Sequence, residues 1–154
     1  MGAMSQPVSR HRRYILDSSA LAIYLSNGQG WEEISPIVDA ARAKQTAIYV
    51  TTFSLSELLA DQERTGGAAS AQTTWARIQK LPFKLTDIDR TLALAAAHIR
   101  ALYSLEQADP FAAALAERQH AVLLTSNGHY RKIEKLVAIK WLPTGSSPEG
   151  PSGE

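Results

Sequence analysis

The chain has 154 residues, 45% of them hydrophobic and 20% charged, with a formal net charge of +1. That length suits one domain with a substantial core, and the near-neutral balance argues against a broad polybasic surface for nucleic acid. With no cysteine in the chain, a disulfide scaffold, a Cys-ligated zinc site and a thiol nucleophile are all excluded. No run reaches the length of a membrane span and the N-terminus has no signal-peptide pattern, which fits a cytoplasmic protein without membrane contact.

Met1-Gly2-Ala3-Met4 reads as an expression scar, so residues 1–7 are set apart from a single domain over residues 8–142. Arg10, Arg12 and Arg13 are basic residues leading into the first strand, read as a solvated flank. Tyr14-Ile15-Leu16 is a short apolar strand, and Asp17-Ser18-Ser19 opens a helix that Asn27-Gly28 stops. Trp31 to Lys44 places Ile34, Ile37, Val38 and Ala41 on one helical face. The β-branched run Ala47 to Thr52 predicts a strand, followed by a helix from Ser54 to Arg64 that Gly66-Gly67 ends. Ala68 to Gln79 is helical, Phe83 to Leu85 a brief strand, and Asp87 to Leu105 a long helix. Pro110 to Gln119 is a further helix. The last units are strand Ala121 to Leu124, a short helix near His129 to Lys135, and strand Val137 to Trp141. Residues 143–154, rich in Pro, Gly and Ser, predict a disordered tail. Alternating strands and helices predict a parallel sheet covered on both faces.

Three acids stand where a strand gives way to a helix: Asp17 in YILDSSAL, Glu57 in TTFSLSELLA and Asp109 in QADPFAAALAE. In a parallel sheet such junctions share one edge, where α/β proteins place ligands. Converging carboxylates repel unless cations lie between them, and Mg²⁺ prefers oxygen donors. Each acid also has an ordinary structural role. Asp17 is a good N-cap, Glu57 suits the positive end of a helix, and Asp109-Pro110 reads as a cap followed by a first-turn proline. Asn127 follows the strand at Leu123-Leu124, and Asn-Gly favours a turn; as a ligand it offers oxygen without charge. Thr125 is placed to hydrogen-bond a metal ligand. The four histidines lack metal-ligand spacing, and neither GxxxxGK[ST] nor GxGxxG occurs.

In this order the pieces ILDSSAL, SELLA and ADPFAAALAERQHAVLLTSN resemble the PIN-domain ribonucleases, especially the toxins of VapBC-type toxin–antitoxin pairs. The resemblance runs from about Tyr14 to Trp141. It implies a three-layer α/β fold with a central parallel sheet and an acidic pocket that binds Mg²⁺ or Mn²⁺ and cleaves RNA. By motif, Asp17, Glu57 and Asp109 match the first three acids, Ser19 the small polar residue beside the first, and Thr125 the Thr of the fourth motif. It also implies an antitoxin partner, whose tail covers the acidic groove, and a homodimer; the helices Trp31 to Ala43 and Ser54 to Ala60 are candidate contact faces, with core packing as the default.

Asn127 departs from the pattern, standing where a fourth acid is usual. Three carboxylates carry −3, which one divalent ion reduces to −1 and two turn to +1, so a second ion is held more weakly. Two alternatives therefore stand beside an active ribonuclease. One is a weak or inactive PIN-like module that binds RNA or a protein. The other is a receiver-type signalling domain, which should carry adjacent acids after its first strand and an Asp ending its third.

Overall fold

The computed structural model describes residues 12–144; the expected scar and most of the expected tail lie outside that range. Five strands form one sheet: β1 (Arg13–Leu16), β2 (Ala47–Thr51), β3 (Phe83–Thr86), β4 (Val122–Thr125) and β5 (Ile139–Trp141). All neighbours pair in parallel, in the order β3-β2-β1-β4-β5. The receiver alternative fails here, because its fold orders the strands 2-1-3-4-5.

The side-chain period of two explains the layers. Ile15 and Leu123 point to one face, where they meet α4 (Arg90–Tyr103) and α5 (Asp109–Gln119) through Leu92, Ala96, Ile99, Ala112 and Leu115. Tyr14, Leu16, Ile48, Val50 and Leu124 point to the other. There they meet α1 (Ser18–Ser26), α2 (Trp31–Arg42) and α3 (Thr52–Ile78) through Leu21, Ile34, Ile37, Val38 and Leu58. The central strands β1, β2 and β4 are thus largely apolar on both sides, as a covered parallel sheet requires, while the edge strands β3 and β5 each carry a lysine. In α5 every residue from Ala112 to Ala116 is buried. Small side chains let its backbone lie close to both the sheet and α4, and that places the start of α5 beside the ends of β1 and β4.

Predicted and observed helix ends differ by a few residues. The predicted stop at Gly66-Gly67 is real: Gly67 has φ 86° and ψ 173°, a break inside α3. The helix expected from Asp87 starts later, because Asp89 caps Leu92 N–H through its side chain. Helix α2 ends at Arg42 with Lys44 at φ 62°. Lys44 N–H bonds Ala41 C=O at 3.0 Å and Gln45 N–H bonds Ala40 C=O at 2.9 Å. This is a Schellman closure, whose left-handed residue is usually glycine. A side chain there costs about 1–2 kcal/mol.

Candidate active site

Asp17 ends β1 and caps α1, and it is only 3% exposed. Its Oδ1 accepts from Ala20 N–H at 2.9 Å and from the Ser19 hydroxyl at 2.7 Å. The Thr125 hydroxyl at the end of β4 donates to its Oδ2 at 2.5 Å. Ser126 N–H in turn donates to Ser19 Oγ at 3.0 Å, and Asn127 N–H to Thr125 Oγ1 at 2.9 Å. The same carboxylate caps the helix and anchors the β4 turn.

Asp109 is not the N-cap that Asp-Pro suggests. Ala108 holds that position without a side-chain bond, and Asp109 is the first helical residue. Its carboxylate instead accepts from Tyr130 OH at 3.1 Å and from Asn127 Nδ2 at 3.2 Å. Glu57 lies on the second turn of α3, whose N-cap Thr51 accepts from Ser54 N–H. Helical side chains lean toward the N-terminus, so Glu57 reaches the strand ends and accepts from the Ser18 hydroxyl at 3.0 Å.

Glu57 and Asp109 line one cavity of about 460 Å³, together with Ser18, Asn127, His129 and Lys132. Asp17 sits beneath its floor. The far wall is the α4–α5 loop, where Ser104 and Gln107 adopt φ 57° and 55°.

Electrostatics follow from burial without counter-charge. Among the described residues no Lys or Arg forms an ion pair with Asp17, Glu57 or Asp109. Burial raises the Asp17 carboxyl, hydrogen bonds from Thr125, Ser19 and Ala20 oppose it and the Asp109 charge adds to it, with the carboxyl ending up at about 6. Asp109 is raised as well, by burial first and by the Glu57 charge; Tyr130, His129 and Asn127 oppose that rise. Tyr130 is buried among these acids and its phenol is pushed well above its ordinary value, so it remains a donor.

A stability prediction follows. In the unfolded chain Asp17 titrates near 3.8 and in the folded protein near 6, so between these values the folded state holds the extra proton. Stability then falls as pH rises through that window, on the order of 3 kcal/mol for this group. Melting in EDTA at stepped pH should show a declining temperature from about pH 4 to about pH 6, with a shallower decline in Asp17→Asn, where the raised Asp109 remains. A rising wild-type curve across that window would remove the buried-anion account.

The donor chemistry fits a hard divalent cation: three carboxylates with hydroxyls behind them and no ion pair among the described residues. Glu106, His129 and Lys132 also line the cavity. As placed, no three His, Asp or Glu side chains among the described residues close around one ion. Asn127 contributes least. Its Oδ1 accepts from His129 N–H at 2.9 Å, which turns the amide NH₂ toward Asp109. Asn127 thus caps the turn with its oxygen, as the Asn-Gly pattern suggests, and meets Asp109 as a hydrogen-bond donor.

Ser19 and Thr125 both donate to the Asp17 carboxylate. Sequence reasoning missed Tyr130, Ser18, His129 and Lys132. Tyr130 had one local signal, an aromatic side chain within the polar turn NGHYRK. It lies in a 3-10 turn, Gly128–Ile133, that buries Tyr130 and Ile133 and exposes His129 and Lys132.

The PIN domain family profile matches residues 14–136. No curated protein matches the sequence. Among solved structures, VapBC2 from Rickettsia felis, bound to a DNA fragment from its promoter, is similar at TM-score 0.65. That match has 14% identity over 84% of this chain and 98% of that one. DNA-bound VapBC from Salmonella typhimurium gives 0.64 at 17% identity, over 84% and 97%. VapC20 from Mycobacterium tuberculosis, a sarcin-ricin loop cleaving toxin, gives 0.60 at 13%, over 77% and 92%. At such identities the likeness is one of fold, and it extends over nearly the whole of each relative. With the five-stranded parallel sheet and the profile match over most of its length, this chain belongs to the PIN domain family.

Proposed function

We propose that the protein is a divalent-metal-dependent endoribonuclease and the toxin of a VapBC-type pair. The observation that carries this reading is a set of three acids at one sheet edge, none in an ion pair among the described residues and each held by hydroxyl donors. Asp17, Glu57 and Asp109 would hold Mg²⁺ or Mn²⁺. When bound, such an ion lowers the pKa of a water and polarises a phosphate oxygen. The chain's own part is orientation. Thr125 and Ser19 orient Asp17, Tyr130 orients Asp109 and Ser18 orients Glu57, and the carboxylates would draw together around an ion from these positions. Lys132 and His129 on the rim offset the repulsion between an acidic pocket and an RNA phosphate. In the reaction water adds its oxygen to phosphorus, the P–O ester bond breaks, and the proton ends on the leaving oxygen or in solvent.

The similar structures from Rickettsia felis and Salmonella typhimurium are VapBC complexes, and a toxin–antitoxin complex from Klebsiella pneumoniae shares the fold at TM-score 0.56 and 16% identity. They support an antitoxin partner. The helix faces expected to supply a contact are largely core: Ile34, Ile37, Val38 and Leu58 are buried. Leu94 and Leu102 on α4 are instead 68% and 60% exposed, which supports a protein contact, antitoxin or second copy, on that helix. No helix among the described residues is long and apolar enough to cross a membrane, consistent with cytoplasmic action.

The test is cleavage of single-stranded and loop RNA with Mn²⁺ or Mg²⁺. EDTA should abolish it and added metal should restore it. Clean protein that cuts no RNA with either ion would favour the second reading, a binding module, to which Asn127 lends its support.

A further inference from the structure

A second concavity, of about 650 Å³, lies at the opposite edge of the sheet from the carboxylates. Its lining includes Arg12, Arg13, Lys44 and Lys84, with no Asp or Glu. These residues come from three places: the lead into β1, the turn between α2 and β2, and β3. Because β1, β2 and β3 run parallel, their beginnings meet at one edge, and the four cations converge there. Among the described residues none of the four pairs with a carboxylate. Arg13 reaches only the carbonyl of Gln119, at 3.3 Å. A neighbouring Phe83 ring and Pro82 share the lining, with Gln45 and Thr46 as neutral donors. The near-neutral total charge thus hides two poles, an acidic pocket at the strand ends and a basic one at the strand beginnings.

Lys44 sits at the left-handed position of the α2 closure, as Asn27 and His120 do at the ends of α1 and α5, so glycine can replace it there without strain.

We propose that this basic pocket binds the phosphodiester backbone of the RNA substrate, away from the cutting edge. The choice of RNA rests on the ribonuclease reading; the site itself rests on the convergence of cations. Paired guanidinium forks suit phosphate oxygens, and cations beside an aromatic face are the usual composition of a single-strand groove. Strands of four residues separate the two edges by about 13 Å. A dinucleotide therefore reaches only one, and the substrate is a longer or folded RNA that wraps the domain.

The experiment is fluorescence anisotropy of a labelled single-stranded RNA of about 12 nucleotides, a length typical of such grooves, in EDTA so that nothing is cut. The full chain is compared with Arg12→Gln/Lys84→Gln and with Lys44→Gly. The double variant should lose roughly tenfold in affinity, and its salt dependence should weaken by about 1.4 in log–log slope. Lys44→Gly should also bind more weakly yet melt no lower than wild type, which a purely structural lysine would not do. Wild-type affinity and slope in both variants would overturn the proposal. So would polyglutamate binding tighter than RNA and losing that binding in the variants, which would assign the pocket to an acidic protein segment. Cleavage with Mn²⁺ is scored separately. Wild-type cutting alongside unimpaired binding by the variants sinks the site and leaves the nuclease, while edge-dependent binding without cutting does the reverse.

Discussion

Asp17→Asn should give a protein that melts higher than wild type in EDTA and no longer cleaves RNA. The two effects share one cause. Asp17 is a buried anion whose carboxyl is pushed up to about 6, so at neutral pH its charge opposes folding. An Asn keeps the Oδ1 acceptor for Ala20 N–H and the Ser19 hydroxyl. Its amide would face Thr125 Oγ1, which can rotate its proton toward Ser19, 3.4 Å away. No buried group need lose its partner, and the shape is unchanged. The gain in EDTA should be on the order of 1–3 kcal/mol at pH 7, read as a melting temperature several degrees higher. Cleavage should fall at least roughly 100-fold, because the ion loses one charged ligand and the transition-state stabilisation that follows from it. Comparable cutting by both proteins would place the chemistry elsewhere or in a contaminant. A lower melting temperature would show that the charge is already compensated without metal.

Asn127→Asp should do the opposite. The amide now donates to Asp109 Oδ2 at 3.2 Å while its oxygen caps the 3-10 turn at His129 N–H. Aspartate caps as well as asparagine, so the turn should survive. At Asp109, however, a donor becomes an anion. Two carboxylate oxygens at that separation raise one another's pKa strongly, as in paired-acid sites. Without metal the variant should melt several degrees lower at pH 7, with the deficit shrinking as pH falls and one proton is shared. Mn²⁺ should recover the loss by binding the folded state. Metal affinity and cleavage should both rise, cleavage by roughly tenfold. Unchanged affinity and rate would leave Asn127 as a cap alone. That result would also support the module reading, in which the amide stands in for cation by giving Asp109 a permanent neutral partner.

Much of this protein was legible from local chemistry. Apolar runs at Tyr14 to Leu16, Ala47 to Thr51 and Val122 to Thr125 must be strands buried on both faces, and glycines and caps mark the helix ends. Such signals work because backbone hydrogen bonds and side-chain periods are settled within a few residues. The placement of Asp17 after β1 and Glu57 after β2 also followed, since parallel strands share their ends. Asp109, expected at a third such junction, instead lies where α4 gives way to α5, and the packing of α5 on the sheet is what brings it to that edge. Other features were decided only when distant segments met. Asp109-Pro110 has the local pattern of a cap, yet Tyr130 and Asn127 claim its carboxylate from another element. Asn127 was readable as turn or ligand, and the position of His129 N–H settles which way its amide faces. Arg12, Lys44 and Lys84 are unremarkable alone, and Arg12 and Arg13 read as a solvated flank. Strand register brings them into one pocket. Which charges gather and which atoms face a cavity depend on the sum of non-local packing, and no window of sequence contains that sum.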